Sequence, residues 1–359
     1  MYDVSTPVTA PPTAPQISVI IPARNEEASL GTCLESLVAQ LGVEYEIIVV
    51  NDQSTDRTRE IAATFPGVRV LDAAPLAANW TGKNNAVATG VRAARGGWLL
   101  FTDADTLHLP GSLARALLEA EQYKVDMLSY SPEQIAVTFW EMAVLPVVFA
   151  ELARQYPPSK VSDPKSPKAA ANGQYILVKR EAYDAVGGHA AVSASILEDV
   201  ALARAMKTSR RKMRFRYAAD AVRTRMYRNF CQLREGWTKN LALLFPKPGW
   251  LAVLMFTWWL LGWTALSLAV AGLAWGYWRT IYLSLPTFLL FFRICKAKFG
   301  NGANLASLLC GPPLFAYLLL LSRHMHRKGT VSWKGRNYDG TKAPQGVTLE
   351  DRSLAGRLS

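Results

Sequence analysis

Trp98-Leu99-Leu100-Phe101-Thr102-Asp103-Ala104-Asp105-Thr106 decides how the chain is to be read. An apolar run of large side chains reads as a buried strand, and this one stops at two carboxylates one residue apart. On an extended backbone, positions i and i+2 share a side, so Asp103 and Asp105 are expected to converge at the strand's end. Two acids held together repel unless a cation lies between them. A divalent, oxygen-preferring ion, Mg or Mn, suits such a pair and is commonly shared with substrate phosphates. The other use of the pair is to cap the helix expected from about Pro110.

Outward from this strand, the flanking sequence repeats one pattern. Ile17-Ser18-Val19-Ile20-Ile21 reads as a strand and runs into Pro22-Ala23-Arg24-Asn25-Glu26. An amphipathic helix follows, with Leu30, Leu34, Leu37 and Val38 on one face. Glu46 to Val50 is a second buried strand ending in Asn51-Asp52, a helix runs through Ile61, and Val68 to Leu71 is a short strand. Lys83 to Arg95 is the helix that leads into Trp98. Alternating strands and helices with near-continuous apolar strands predict an α/β fold, a parallel sheet covered on both faces. Ligands of such sheets bind beyond the carboxyl ends of the strands, where Arg24, Asn25, Asp52, Asp103 and Asp105 all fall.

The apolar residues of the 359-residue chain are unevenly spread. Residues 1–15 are Pro/Thr/Ala-rich and read as a disordered tail, and 16–245 as a soluble catalytic domain. Residues 246–325 form a transmembrane or membrane-associated region, and 326–359 a basic tail. Trp250 to Trp275 and Leu305 to Leu321 are candidate spans, the first with tryptophans at both edges. Ile281 to Phe292 is too short to span without tilt. The bases after Leu321 favour a cytoplasmic C-terminus, a rule that Arg293, Lys296 and Lys298 do not follow, so two spans or three stay open. Ile135 to Leu152 reads as a buried helix or one lying in the membrane interface. The net charge of +12 (40 basic minus 28 acidic) suits an anionic membrane or a phosphorylated substrate. No nucleic-acid motif accompanies it, so a nucleic-acid partner is not expected. Four scattered cysteines with no Cys-x-x-Cys pair exclude a disulfide framework or zinc knuckle.

Five motifs in order, Val19 to Glu26, Ile48 to Asp56, Gly82-Lys83-Asn84-Asn85-Ala86, Thr102 to Asp105 and Glu198-Asp199, resemble family 2 glycosyltransferases of the GT-A fold. Tyr156, Asp163-Pro164, Ala171-Asn172-Gly173-Gln174, Gly187-Gly188-His189 and Trp333 to Tyr338 are most similar to the branch that glycosylates membrane lipids: hopanoid-associated, carotenoid and ceramide glycosyltransferases. The resemblance implies a Rossmann-like, mostly parallel sheet with C-terminal transmembrane helices. It places Pro22, Ala23, Arg24, Asn25, Glu26, Asp52, Lys83 and Asp103 at the donor, a nucleotide-diphosphate sugar and most simply UDP-linked, with Asp52 accepting a hydrogen bond from the uracil. Asp103 and Asp105 match the metal-binding pair. Asp199 matches the catalytic base, with Glu198 beside it. Asn172, Gly173, His189, Arg234, Trp237, Trp333 and Arg336 are candidate acceptor or sugar contacts. Processive members carry Gln-x-x-Arg-Trp; here Gln232-Leu233-Arg234-Glu235-Gly236-Trp237 has different spacing, which argues against a polysaccharide synthase.

The chemistry follows from those residue types. An attacking hydroxyl must lose its proton to a positioned carboxylate, and a departing diphosphate needs positive charge. The expected activity is an inverting, metal-dependent transfer of a sugar to a lipid hydroxyl, at the cytoplasmic face of the inner membrane. A polyprenyl-phosphate sugar synthase is the alternative, since its phosphate acceptor needs no strong base. A nucleotidyltransferase is disfavoured because no glycine-rich loop follows the first strand, and a non-enzymatic membrane scaffold because every expected carboxylate is present.

Overall fold

The computed structural model describes residues 14–338. Most of the expected N-terminal tail and residues 339–359 of the basic tail lie outside them. Ten strands build the α/β half of the chain: β1 (Ile17–Ala23), β2 (Tyr45–Asn51), β3 (Val68–Asp72), β4 (Trp98–Phe101), β5 (Thr106–His108), β6 (Met127–Ser131), β7 (Glu133–Gln134), β8 (Ile176–Lys179), β9 (Met213–Tyr217) and β10 (Val222–Thr224). The main sheet runs β3-β2-β1-β4-β8-β6-β9, and β5, β10 and β7 form a small second sheet. The expected parallel sheet is thus mixed: β8 is antiparallel to both β4 and β6. That reversal brings the turn Asn172–Tyr175, just before β8, to the carboxyl end of β4. All four residues of β4 are buried, as an apolar run flanked by strands on both sides requires.

Two helical layers cover the sheet. Leu30, Leu34 and Leu37 pack one face of helix Leu30–Val38 against Val19, Ile21, Val49 and Leu100. On the other face, Val87 of helix Gly82–Ala93 and Leu202 of helix Glu198–Thr208 meet Ile20, Leu99 and Val178. Each fully buried Leu or Ile contributes about 1.5–3 kcal/mol relative to exposure.

Ile135 to Leu152 becomes the helix Phe139–Gln155, started by a Thr138/Glu141 capping box. Its Val144, Val147 and Val148 pack with Trp237 and Leu241 of helix Phe230–Leu244 and with Phe315 and Leu319 of helix Asn301–Lys328. Both ends of Phe139–Gln155 are tied to the α/β half: Arg225 pairs with Glu141 at 3.1 Å, and Tyr156 Oη donates to the Leu244 carbonyl at 2.7 Å. The basic run Arg210 to Arg216 is less solvated than its charge predicts. Arg214 and Arg216 both pair with Glu119, at 2.6 and 3.0 Å, and their guanidinium groups lie over Tyr123 and Tyr130.

Two C-terminal helices, Pro248–Ala274 and Asn301–Lys328, are long and apolar enough to cross a membrane. They differ in surroundings: the apolar stretch of the first is 17% buried in the protein and that of the second 56%. Between them lie a 3₁₀ turn (Trp278–Ser284) and the helix Leu285–Cys295. The last helix stops at Gly329, whose φ of 66° turns the chain into a hairpin of β11 (Val331–Trp333) and β12 (Arg336–Tyr338).

Candidate active site

Beyond the carboxyl ends of β1, β2 and β4 lies a cavity of about 580 Å³. Its polar end holds Asp52, Lys83, Asp103, Asp105, Glu198 and Asp199, and much of the rest of its wall is apolar, including Phe149, Leu152, Leu197 and Leu244. Pro22, Ala23, Arg24, Asn25 and Glu26 form one side. That segment is braced against the loop after β2. Arg24 Nη1 donates to the carbonyls of Asp52 (2.8 Å) and Gln53 (3.1 Å), and Asn25 Oδ1 accepts from Thr55 N–H at 2.9 Å. Asn25 and Gln53 both adopt left-handed backbone (φ 51° and 56°), a conformation asparagine tolerates better than most residues. Asn51 has its own local duties: its Nδ2 donates to Asp72, and its Oδ1 accepts from Ser54 N–H.

Asp103 and Asp105 both line the cavity, but not by strand alternation. β4 ends at Phe101, and Asp103 to Thr106 is a turn in which Thr106 N–H donates to the Asp103 carbonyl at 3.3 Å. Thr224 Oγ1 holds the Asp105 carbonyl at 3.1 Å. Neither aspartate caps the next helix, which starts at Ser112 behind Gly111 with no side-chain cap. Asp105 Oδ1 is buried without a hydrogen-bond partner among the described residues. Burial, then Asp103 and Glu26, push its carboxyl up to about 8.

Lys83 links the two carboxylate pairs. Thr81 caps its helix by accepting from Asn84 N–H, which leaves Lys83 in the first turn, and Nζ reaches Asp103 at 2.8 Å and Glu198 at 2.6 Å. Burial alone would weaken its proton affinity, but the two acids outweigh it and raise it well above the ordinary lysine range. Burial pushes Glu198 up; Lys83, with Lys239 behind it, prevails and holds it below the usual carboxylate value. Among the described residues, Asp199 has no such ion pair. Its Oδ2 accepts from Gly173 N–H at 3.0 Å and its Oδ1 from Val200 N–H at 2.8 Å. Burial and the neighbouring Glu198 push it up to about 6. Adjacent carboxylates thus carry different protonation chemistry, one locked as an anion and one poised near neutrality.

The other expected contacts separate. Asn172, Gly173, Trp237, Trp333 and Arg336 line the cavity; Arg234 does not, and His189 lines a small cleft beside it with Lys83, Asp103, Gly173 and Glu198. His189 is 3% exposed; its N–H donates to Tyr183 Oη, which in turn lies 2.9 Å from Nδ1, and its ring packs edge-on against Phe101. Burial pushes it down to about 4, as befits a neutral core histidine. Arg234 is exposed because Leu233 and Trp237 take the inner face of their helix. Sequence reasoning missed Lys239, Glu235 and Lys334, which also line the cavity. Glu235 and Lys239 are four apart on one helix, the spacing that places both on a single face.

These features define a class: an α/β domain that gathers an acid pair, a lysine and a poised carboxylate beyond the carboxyl ends of its central strands. The glycosyl transferase family 2 profile matches residues 18–199. A 4,4'-diaponeurosporenoate glycosyltransferase of Staphylococcus aureus (strain MRSA252) is 32% identical over 344 residues, covering 91% of this chain and 89% of the relative. The relative from strain bovine RF122 / ET3-1 is 31% identical over the same length. Among solved structures, the mannosyltransferase PcManGT from Pyrobaculum calidifontis, in complex with GDP-Man and Mn²⁺, aligns over 87% of each chain with a TM-score of 0.51 and 16% identity. The chain belongs to glycosyltransferase family 2, and its fold is GT-A.

Proposed function

We propose that the chain is a membrane-attached, inverting hexosyltransferase that moves a sugar from a UDP-linked donor to a hydroxyl of a lipid. The observation that carries this reading is the single cavity in which the acid pair and Lys83 share space with Asp199 and an apolar wall. The carotenoid relative supports a lipid acceptor. Asp52 and residues 22–26 are assigned to the nucleotide and Lys83 to the diphosphate. Asp199, oriented by Gly173 and Val200, takes the hydroxyl proton as the oxygen attacks the anomeric carbon on the face opposite the leaving diphosphate. Glu198 holds Lys83 in place, and one displacement inverts that carbon.

The orphaned Asp105 Oδ1, next to a second carboxylate, fits a divalent cation. Bound by Asp103 and Asp105, Mg or Mn would supply charge against the leaving diphosphate. Ionisation of Asp199 sets the acid limb of the pH profile. Below pH 6 the carboxyl carries its proton and cannot accept another, so kcat/KM is expected to rise with pH to a plateau, with its midpoint near the Asp199 value of about 6. A rate that falls through this window would remove Asp199 as the base.

The same reading gives the apolar region a topology. Pro248–Ala274 enters the bilayer and residues 278–295 return beside it, with Thr280 Oγ1 donating to the Ala269 carbonyl and Thr287 Oγ1 to that of Gly262. Arg293 then pairs with Glu151, which is 1% exposed and sits on the catalytic-side helix Phe139–Gln155. That pair accounts for Arg293, one of the three bases that do not follow the charge rule. Helix Asn301–Lys328 starts beside Phe149, through Phe299, and ends with Ser322 and His326 bonded to helix Phe230–Leu244. With both ends on one side, it lies at the membrane surface, and the catalytic domain faces the cytoplasm. In a cysteine-free background, a cysteine at Lys298 is expected to react with a cytoplasmic thiol reagent and one at Tyr277 to be protected from it. Labelling of position 298 from the outer face alone would reverse this topology.

A further inference from the structure

The family resemblance makes Trp333 and Arg336 candidate acceptor or sugar contacts. The hairpin that carries them lies against Arg24, Glu26 and Asp52. Its turn residues Lys334 and Gly335 both have positive φ (45° and 76°), the two-residue hairpin geometry that matches strand twist. It is tied down at several points. Arg24 Nε donates to the Lys334 carbonyl at 3.2 Å, Lys334 Nζ donates to the Arg24 carbonyl at 3.0 Å, and Lys334 N–H donates to Glu235 at 3.2 Å. Lys334 Nζ also pairs with Glu26 at 2.5 Å.

Arg336 faces Asp52 with two arms: Nη1 bonds Oδ2 and Nη2 bonds Oδ1 at 2.9 Å, while Nη2 also reaches Gln53 Oε1 at 3.0 Å. Asp52 is 5% exposed, so this pair is largely withdrawn from solvent, where charge-assisted, two-armed contacts are strongest. Gly82 supplies an independent observation. A Cβ built there would collide with the Arg336 guanidinium and with Asp52 Oδ2. Glycine is a poor choice for a helix start next to Thr81 unless something occupies the space beside it. Here the occupant is Arg336.

We propose that β11–β12 is a wall of the nucleotide pocket, in which Arg336 is the positioning residue for Asp52 and Lys334 anchors the wall to residues 24–26. The inference rests on the nucleotide-sugar reading above. A carboxylate has about four acceptor sites. The guanidinium takes two and fixes the carboxylate plane, so the remaining lone pairs face the pocket in one direction and can select a base that presents an N–H there. Without Arg336 the carboxylate rotates and loses that selectivity. Because the hairpin hangs directly from helix Asn301–Lys328, the pocket wall is placed by the membrane-associated part of the chain.

The test uses the full chain in detergent or nanodiscs, with donor KM, kcat and competitive inhibition by UDP, GDP and ADP as readouts. Arg336→Ala is expected to raise donor KM about 10-fold, to compress the UDP-to-ADP inhibition ratio about as much, and to leave kcat within about 3-fold. Arg336→Lys keeps the charge without the fork, and should recover part of the affinity but little of the base selectivity. Gly82→Ala should mimic Arg336→Ala, and the double variant should be no worse than the single ones. An Arg336→Ala chain with unchanged KM and inhibition ratio overturns the inference, as do losses that multiply in the double variant. If Ala misfolds, the Lys variant alone decides on the same criteria. A wild-type chain that no nucleoside diphosphate inhibits overturns the donor reading instead, and this inference with it.

Discussion

Asp199→Asn is expected to lower kcat by about 10²–10⁴-fold while donor KM and the thermal transition stay close to those of the unmodified chain. The amide keeps the size of the side chain and, through its oxygen, one of the two backbone contacts to Gly173 and Val200. It cannot take a proton from the attacking hydroxyl. Because Lys83 is paired to Glu198 and Asp103 rather than to Asp199, the donor end of the cavity is left intact. Glu198 is a poor substitute base, since Lys83 and Lys239 hold it as a stabilised anion. The loss should therefore fall on the chemical step, and the acid limb near pH 6 should vanish with it. Steady-state rates on extracted lipid with a radiolabelled donor check both outcomes. Near-normal turnover would sink the hydroxyl-acceptor reading and favour a phosphate acceptor, which needs no base.

Asp105→Asn should separate function from stability. The Asp105 carboxyl is buried near Asp103 and Glu26, and its pKa rises from 3.8 to about 8. A carboxyl raised on folding binds its proton more tightly in the folded chain, so metal-free stability falls as pH rises from about 4 to about 8. Asparagine removes that slope and should raise the metal-free transition temperature at pH 8. Cation-dependent donor binding should be lost, with activity reduced at least about 10²-fold, as for removal of one preorganised charge at a leaving group. Calorimetry with and without Mn²⁺ and UDP provides the check. A variant that is less stable without metal, or that keeps its cation-dependent binding, would refute the assignment of Asp105.

Much of the fold is legible in the chain because a buried strand needs an unbroken apolar run, and Ile17–Ala23, Tyr45–Asn51 and Trp98–Phe101 each have one. β9 was not, since its Met213-Arg214-Phe215-Arg216-Tyr217 alternates bases with apolar residues, and the partners of those bases, Glu119 and the tyrosine rings, come from distant segments. The reversed direction of β8 was equally hidden, because strand direction depends on pairing and not on the strand's own residues. Asp103, Asp105, Lys83 and Asp199, singled out by their motifs, all line the cavity. Arg234 does not, because the outward phase of its helix decides its orientation, and His189, buried against Phe101 and Tyr183, sits in a small cleft beside Lys83, Asp103 and Glu198.

By itself, then, the chain determined which residues gather at the candidate site: the acid pair after an apolar strand, the lysine at a helix start, and the Glu198-Asp199 dyad. Short-range physics suffices for that, since strand ends, caps and residue types are local. Only the tertiary structure decided how the two aspartates meet, through a turn rather than an extended strand, and why two adjacent carboxylates differ, through a lysine shared from another helix. It also decided that Arg336, 284 positions from Asp52, closes against it. Contacts at that separation depend on how the intervening helices pack, and no local pattern encodes them.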